Sequence, residues 1–315
     1  MFKVFKNALI YQLSRKVPNL TEEELRPLIP NFAFSPCGEH DASRIGWLTD
    51  DDKPAIFVHG NHLLLVAVKE QKDIPAAIIK AQLNAKRENL EAIHNRKLRR
   101  SEIAQIKDDV IQELLPRAFA KRSTIQLWID VDNGLISIDT TSPRTAELVL
   151  ALLRRTLGSL PVIPMATVNP FALAMTDWLK DSHTLPAKLR LSDKIQKADL
   201  IYEEGEVRFN KEDRLTNDEA VSILLAQGRQ VCTLGVYLDT QYGLDLALTD
   251  ACKLKKLQFG VEFSRLHREG DDELAREYAD FILMVEELRT AYDIIFHAMG
   301  GLLNAVESDE SAGGE

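Results

Sequence analysis

Hydrophobic and polar residues alternate most regularly in TIQLWIDVDNGLISIDT, where Ile125, Leu127, Ile129 and Val131 lead into Asp132-Asn133-Gly134 and then Ile136 and Ile138. A period of two around an Asn-Gly turn predicts a β-hairpin. AIFVHGNHLLLVAVKE predicts a second, turning at Gly60-Asn61, and Val4-Phe5 with Leu9-Ile10-Tyr11 predicts an opening strand. Thr21 with Glu24 forms a capping box for a short helix near Glu22. From Pro75 to Leu115 the apolar period changes to three and four, which predicts two helices. The first ends near His94-Asn95; the second starts after Ser101, which can cap it, and stops at Pro116. They pair as a helical hairpin whose tip is Arg96-Lys97-Leu98-Arg99-Arg100, either a charged contact surface or a solvated turn.

Beyond the central hairpin, Ser142-Pro143 opens a helix whose apolar face is Leu148, Val149, Leu152 and Leu153, ended by Gly158. The stretch PVIPMATVNP reads as a connection, with a second domain after it. There, Glu206–Phe209 reads as a short strand, and Thr216 with Glu219 caps a helix stopped by Gly228. Val231–Leu238, Leu244–Leu248 and Lys253–Phe259 read as an antiparallel sheet. A long helix with a buried middle runs from about Asp271 to Met299, and the acidic tail ESDESAGGE reads as disordered. The class is α+β: antiparallel sheets with packed helices and an inserted helical hairpin.

Composition adds exclusions. Of 315 residues 45% are apolar and 28% charged, which argues for a folded globular chain. Cys37, Cys232 and Cys252 are widely spaced without a Cys-x-x-Cys pair, so neither a disulfide framework nor a zinc knuckle is indicated, and a reducing compartment fits best. No apolar run long enough to span a bilayer and no small-residue cleavage site after the N-terminal segment argue against membrane insertion and secretion. The net charge of -9 opposes nucleic-acid binding at long range, but it conceals segregation. Lys80 to Arg122 carries eleven Lys/Arg against six Asp/Glu, and Gly270 to Glu315 two against twelve.

Catalytic constellations are sparse. Phosphate-cradling glycine loops and a nucleophile elbow are absent, and the seven histidines are scattered, so no metal or cofactor is implied. Asp130, Asp132 and Asp139 form the best acidic set, around which a divalent metal would serve a nuclease or phosphodiesterase. Against that, alternation points Asp130 to solvent and Asp132 opens a turn. Cys37 between Pro36 and Gly38 lacks an adjacent base and reads as structural. In KLKKLQF, alternation puts Lys253 and Lys255 on one strand face and Lys256 on the other, as a phosphate-facing or merely half-exposed strand would. LLPRAFAKR sets Phe119 among Arg117, Lys121 and Arg122 where the helical hairpin rejoins the sheet, for core packing or an oligomer contact.

Several segments together resemble the bacterial recombination-associated RdgC family. They are MFK with IYQLSR, FSPCG with Gly46-Trp47, the insertion closed by LLPRAF, WIDVDNGLISID, ALLRRTLGSLPVIP, KLKKLQF and ADFILM. The match is loosest around Lys180 to Arg214 and in the tail. The resemblance implies a non-enzymatic, cytoplasmic and nucleoid-associated protein without cofactors that binds double-stranded DNA regardless of sequence, single strands being left open. It implies a ring-shaped homodimer with a positively lined hole that restrains RecA-promoted strand exchange. Its three parts map onto residues 1–74 with 117–163 as a centre, 75–116 as a finger and 164–315 as a base. For such a protein the candidate phosphate contacts in this chain are Lys69, Lys72, Arg96, Lys97, Arg99, Arg100, Arg208, Lys211, Lys255 and Lys256, and the resemblance assigns ring closure to Phe119 with Arg117 beside it. A scaffold that binds only protein, through its basic finger, is the remaining alternative.

Overall fold

The computed structural model describes residues 2–49, 55–195, 198–202, 205–209, 219–266 and 272–303. Strand β1 (Asn7–Leu13) precedes a single helical turn, α1 (Glu22–Leu25), whose cap Thr21 accepts from the Glu24 N–H at 3.4 Å as its spacing predicts. Strand β2 (Ser43–Trp47) is too short and polar for alternation to reveal. The expected hairpin follows as β3 (Ile56–His59) and β4 (His62–Asp73), with His59 paired to His62. Of its two turn residues only Gly60 takes a positive φ, 55°.

Strand β4 leads into α2 (Ala76–His94) and α3 (Arg100–Leu114), the predicted helical hairpin. Helix α2 ends on a left-handed Asn95, but α3 begins before Ser101 rather than after it. The Glu102 carboxylate accepts from the Arg99 N–H at 2.7 Å, making Arg99 the cap and drawing Ser101 into the first turn. Helix α2 has no buried residue and α3 buries Ile106 and Val110, so the hairpin stands clear of the main core.

The central hairpin is β5 (Phe119–Asp130) and β6 (Leu135–Ile138). Strand β5 starts well before the alternating stretch because Phe119 to Thr124 pair with Asp73 to Val68 on β4. Helix α4 (Pro143–Leu157) follows as read, capped by the Ser142 hydroxyl, and β7 (Val162–Pro164) pairs with β1. Next come α5 (Phe171–Lys180), β8 (Leu189–Leu191), β9 (Ala198–Tyr202) and β10 (Gly205–Phe209). Periodicity missed α5, whose N-cap is Pro170 without a capping side chain. Helix α6 (Glu219–Ala226) is present, while the Thr216 cap lies outside the described residues. The last elements are β11 (Gln230–Leu238), β12 (Leu244–Thr249), β13 (Lys253–Phe259), α7 (Val261–Leu266) and α8 (Glu273–Ala298), capped by Asp272. The expected disordered tail lies outside the described residues.

All of these strands belong to one antiparallel thirteen-stranded sheet, its main path running β10-β9-β11-β12-β13-β1-β6-β5-β4-β2. The junction is β1 with β13, where Asn7, Ala8 and Leu9 face Lys255, Leu254 and Lys253, so strands from before and after the proline-rich stretch share one ladder. On one face Phe281, Met284, Leu288 and Tyr292 of α8 pack with Phe57, Leu64, Val66 and Trp128. On the other, Val149, Leu150 and Leu153 of α4 and Leu25 of α1 close over Leu63, Leu65, Leu127 and Ile136. No helix among the described residues is long and apolar enough to cross a membrane.

Candidate nucleic-acid interface

The lysines of β13 owe their placement to a bulge. Opposite β12 the pairing shifts between Asp245–Gln258 and Ala247–Lys255, adding a residue to β13. Leu254 and Leu257, an odd number apart, therefore enter the same core, and Lys253, Lys255 and Lys256 are all left outside it. This corrects the simple alternation that set Lys256 opposite its neighbours. Lys256 adopts φ 55°, a left-handed conformation rare for a side chain with a β-carbon, and its N–H donates to Asn7 Oδ1 at 3.3 Å. Lys256→Gly should therefore raise stability by about 0.5–1 kcal/mol, since relief of left-handed strain exceeds glycine's added chain entropy. If the lysine is also a phosphate contact, the same variant loses duplex affinity. Denaturant melts and DNA titrations read the two effects separately.

Pairing registers place β13 relative to β4. One row of partners runs Lys253–Leu9–Ile138–Leu127–Leu65, all on one face of the sheet. Two residues toward the helical hairpin, Lys255 and Asn7 stand level with Ile125 and Ala67, and the next such pair is Ser123 with Lys69. Lys69 and Lys255 thus share a face and an end of the sheet, four strand spacings or about 19 Å apart. Two further exposed lysines, neither of them among the phosphate-contact candidates of the sequence, lie at the same end of the sheet. Lys6 lies beside β13, its carbonyl accepting from the Leu257 N–H at 2.9 Å, and Lys121 shares the strand face of Ser123. Nothing in the periodicity marks them, because each becomes a neighbour only through long-range pairing.

Three of the other candidate cations, Lys72, Arg96 and Arg208, are already engaged. Lys72 Nζ donates to the carbonyls of Gly38 and Glu39 at 2.7 and 2.6 Å, clasping that loop. Arg96 makes two bonds to Glu102, 2.9 and 2.7 Å, and together with the Arg99 N–H they hold the Glu102 carboxyl down at about 2. Lys97, Arg99 and Arg100 are exposed at that tip, separated from the sheet by the roughly 28 Å length of α2. Arg208 is exposed on β10, at the far end of the sheet from β4, and pairs with Glu206 at 2.8 Å. Lys211 lies outside the described residues. Arg117 is exposed, and Phe119, at the first position of β5, is 89% exposed.

The family model described as "Putative exonuclease, RdgC" matches residues 1–302. Proteins called "Recombination-associated protein RdgC" from Yersinia pestis (strain Pestoides F) and Yersinia pseudotuberculosis serotype O:1b are 38% identical over 303 residues. A Yersinia enterocolitica protein of the same description matches at the same identity. Each alignment covers 94% of this chain and 98% of the relative. The chain belongs to the RdgC family.

The three aspartates singled out for metal chemistry have separate partners in this RdgC-family chain. Asp130 accepts from the Asn133 N–H and Nδ2 at 3.2 and 2.8 Å, Asp132 from Asn61 Nδ2 at 2.7 Å, and Asp139 from the N–H groups of Lys6 and Asn7 at 3.2 and 2.9 Å. Asp130 does not face solvent as alternation predicts; it is 1% exposed, because its strand face lies under α8 beside Arg289, whose Nε is 3.6 Å away. Among the described residues no group of three or more His, Cys, Asp or Glu is placed to hold a metal ion. Burial, and then Glu70, push the Cys37 thiol up, away from the reactive thiolate.

His62 is buried in the same corner, 3.8 Å from Asp130 and 3.4 Å from Arg289. Burial lowers its pKa, and Arg289 adds to this against the opposing pull of Asp130. The unfolded chain takes that proton more readily, so stability should fall as pH drops below the ordinary histidine value of about 6.5. Thermal melts at about pH 7.5 and 5.5 should separate, and His62→Gln should narrow the gap. An unchanged gap assigns the pH dependence to other groups.

Proposed function

We propose that this chain binds double-stranded DNA without sequence preference, as a homodimer encircling the duplex, and restrains RecA-promoted strand exchange. The observation that carries the reading is the gathering of Lys69, Lys255 and Lys256 at one end of the sheet in a chain of net charge -9. Ammonium groups on half-exposed strand positions meet phosphate oxygens and carry no donor pattern that distinguishes bases, so binding follows charge density rather than sequence. The exposed tip cations Lys97, Arg99 and Arg100 supply a second contact. Phe119, a large apolar ring in water, supports a role as the anchor by which a second copy closes the ring, with Arg117 beside it. On this reading residues 1–74 with 117–163 are the centre, 75–116 the finger and 164–315 the base.

Relatives named for recombination agree with a partner of this kind. By occupying duplex, the ring denies recombinase filaments the strand they would invade, and it needs no bond-breaking chemistry to do so. The nuclease alternative, echoed in the family description, depends on a metal that Asp130, Asp132 and Asp139, each engaged elsewhere, are poorly disposed to bind. Fluorescence anisotropy with two duplexes of unrelated sequence, at about 50 and 200 mM salt with magnesium present, tests the proposal. Equal affinities that fall steeply with salt, with the DNA recovered intact, are expected. Marked preference for one sequence, absence of binding at low salt, or shortened DNA would each overturn it.

A further inference from the structure

At the end of the sheet opposite the lysine strip, a cavity of about 520 Å³ opens between the end of β1, the segment leading to α1 and the turn joining β5 to β6. Its lining includes the side chains of Leu13, Val17, Leu20 and Val131; Leu13 and Leu20 are buried, and the other two half-exposed. Arg15 and Lys16 also line it, both exposed and both without an ion-pair partner among the described residues. Asp132, the one lining carboxylate among the described residues, accepts from Asn61 Nδ2 at 2.7 Å, a neutral donor that leaves its charge in place. With two cations against one carboxylate, the rim of this apolar hollow is net positive in a chain with nine more acids than bases. Asn7, which faces Lys255, lies at the other end of β1 from Leu13, six residues or about 20 Å away.

We propose that this cavity is a docking site for an acidic peptide ending in a large apolar residue, distinct from the nucleic-acid surface. The apolar side chain fills the hollow over Leu13 and Leu20, while the terminal carboxylate and preceding acids meet Arg15 and Lys16. Phosphodiester backbone is the poorer occupant, because it offers charge but nothing to displace water from leucine and valine. Peptide and duplex then bind opposite ends of the sheet at once, so that the chain couples an acidic protein tail to DNA.

The probe is a fluorescein-labelled hexapeptide of four aspartates, leucine and phenylalanine with a free carboxyl end, titrated by anisotropy. Saturable binding is expected, at least tenfold weaker after Arg15→Glu with Lys16→Glu, two exposed positions whose exchange leaves the core intact. A peptide ending in two serines should bind about tenfold to a hundredfold less well, the effect of losing an aromatic side chain from an apolar site. Saturating duplex should leave peptide binding unchanged. Failure to bind, equal binding of the serine peptide, full binding by the double variant, or displacement by duplex would overturn the proposal. Peptide binding is read without reference to DNA, so its failure leaves the DNA reading standing, and the reverse holds.

Discussion

Replacing Lys69, Lys255 and Lys256 together by glutamate removes three contacts from each protomer of the dimer, and should lower duplex affinity well over a thousandfold at roughly 0.1 M salt and flatten its salt dependence by about 5.4 logarithmic units per decade. Each phosphate contact releases about 0.9 of a counterion, and each such release contributes close to tenfold at that salt concentration. The loss should be uniform across DNA sequences, because these side chains meet phosphates rather than base edges. All three are outside the cores, so thermal stability should change little. Wild-type affinity in the triple variant would remove the strip from the binding surface and leave the finger tip as the remaining candidate.

Trp128→Ala should do the reverse, costing about 3–5 kcal/mol of stability, near 10 °C in melting temperature for a chain of this size. Trp128 is 1% exposed and stacks on Tyr292 of α8 with ring centroids 5.7 Å apart, while the Tyr292 hydroxyl meets Ser137 Oγ at 2.8 Å. Removing the indole opens a cavity where the helix meets the centre of the sheet. A circular-dichroism melt measures the cost, and the protein that remains folded should keep its DNA affinity. A shift of only one or two degrees would mean that α8 does not brace the strands beneath it.

Elements built on local rules were legible in the sequence. The two tight hairpins, the helical hairpin, the Ser142 cap and the three strands of the KLKKLQF region all follow from periodicity and turn chemistry over a dozen residues. What was not legible depends on pairings between distant segments. Asp130 looked solvent-facing because alternation knows nothing of α8, which arrives from far along the chain to roof that face. The orientation of Lys256 was hidden by the bulge, although two buried leucines three residues apart in a strand already signal one. Lys6 comes to the same end of the sheet only because β1 pairs with β13, and α5 was lost in a proline-rich context that resembled an extended connection. Of the candidate cations, the registers bring Lys69, Lys255 and Lys256 to one end of the sheet, while Lys72 and Arg96 have structural partners that no linear pattern reveals.

Sedimentation velocity of the full chain, alone and with a short blunt duplex in about 50 mM salt, tests the account most directly. It reports subunit number and DNA occupancy together. Two protomers carrying one duplex, whatever its sequence, and released as salt rises, is the result predicted. A monomer that sediments unchanged beside free duplex would contradict it.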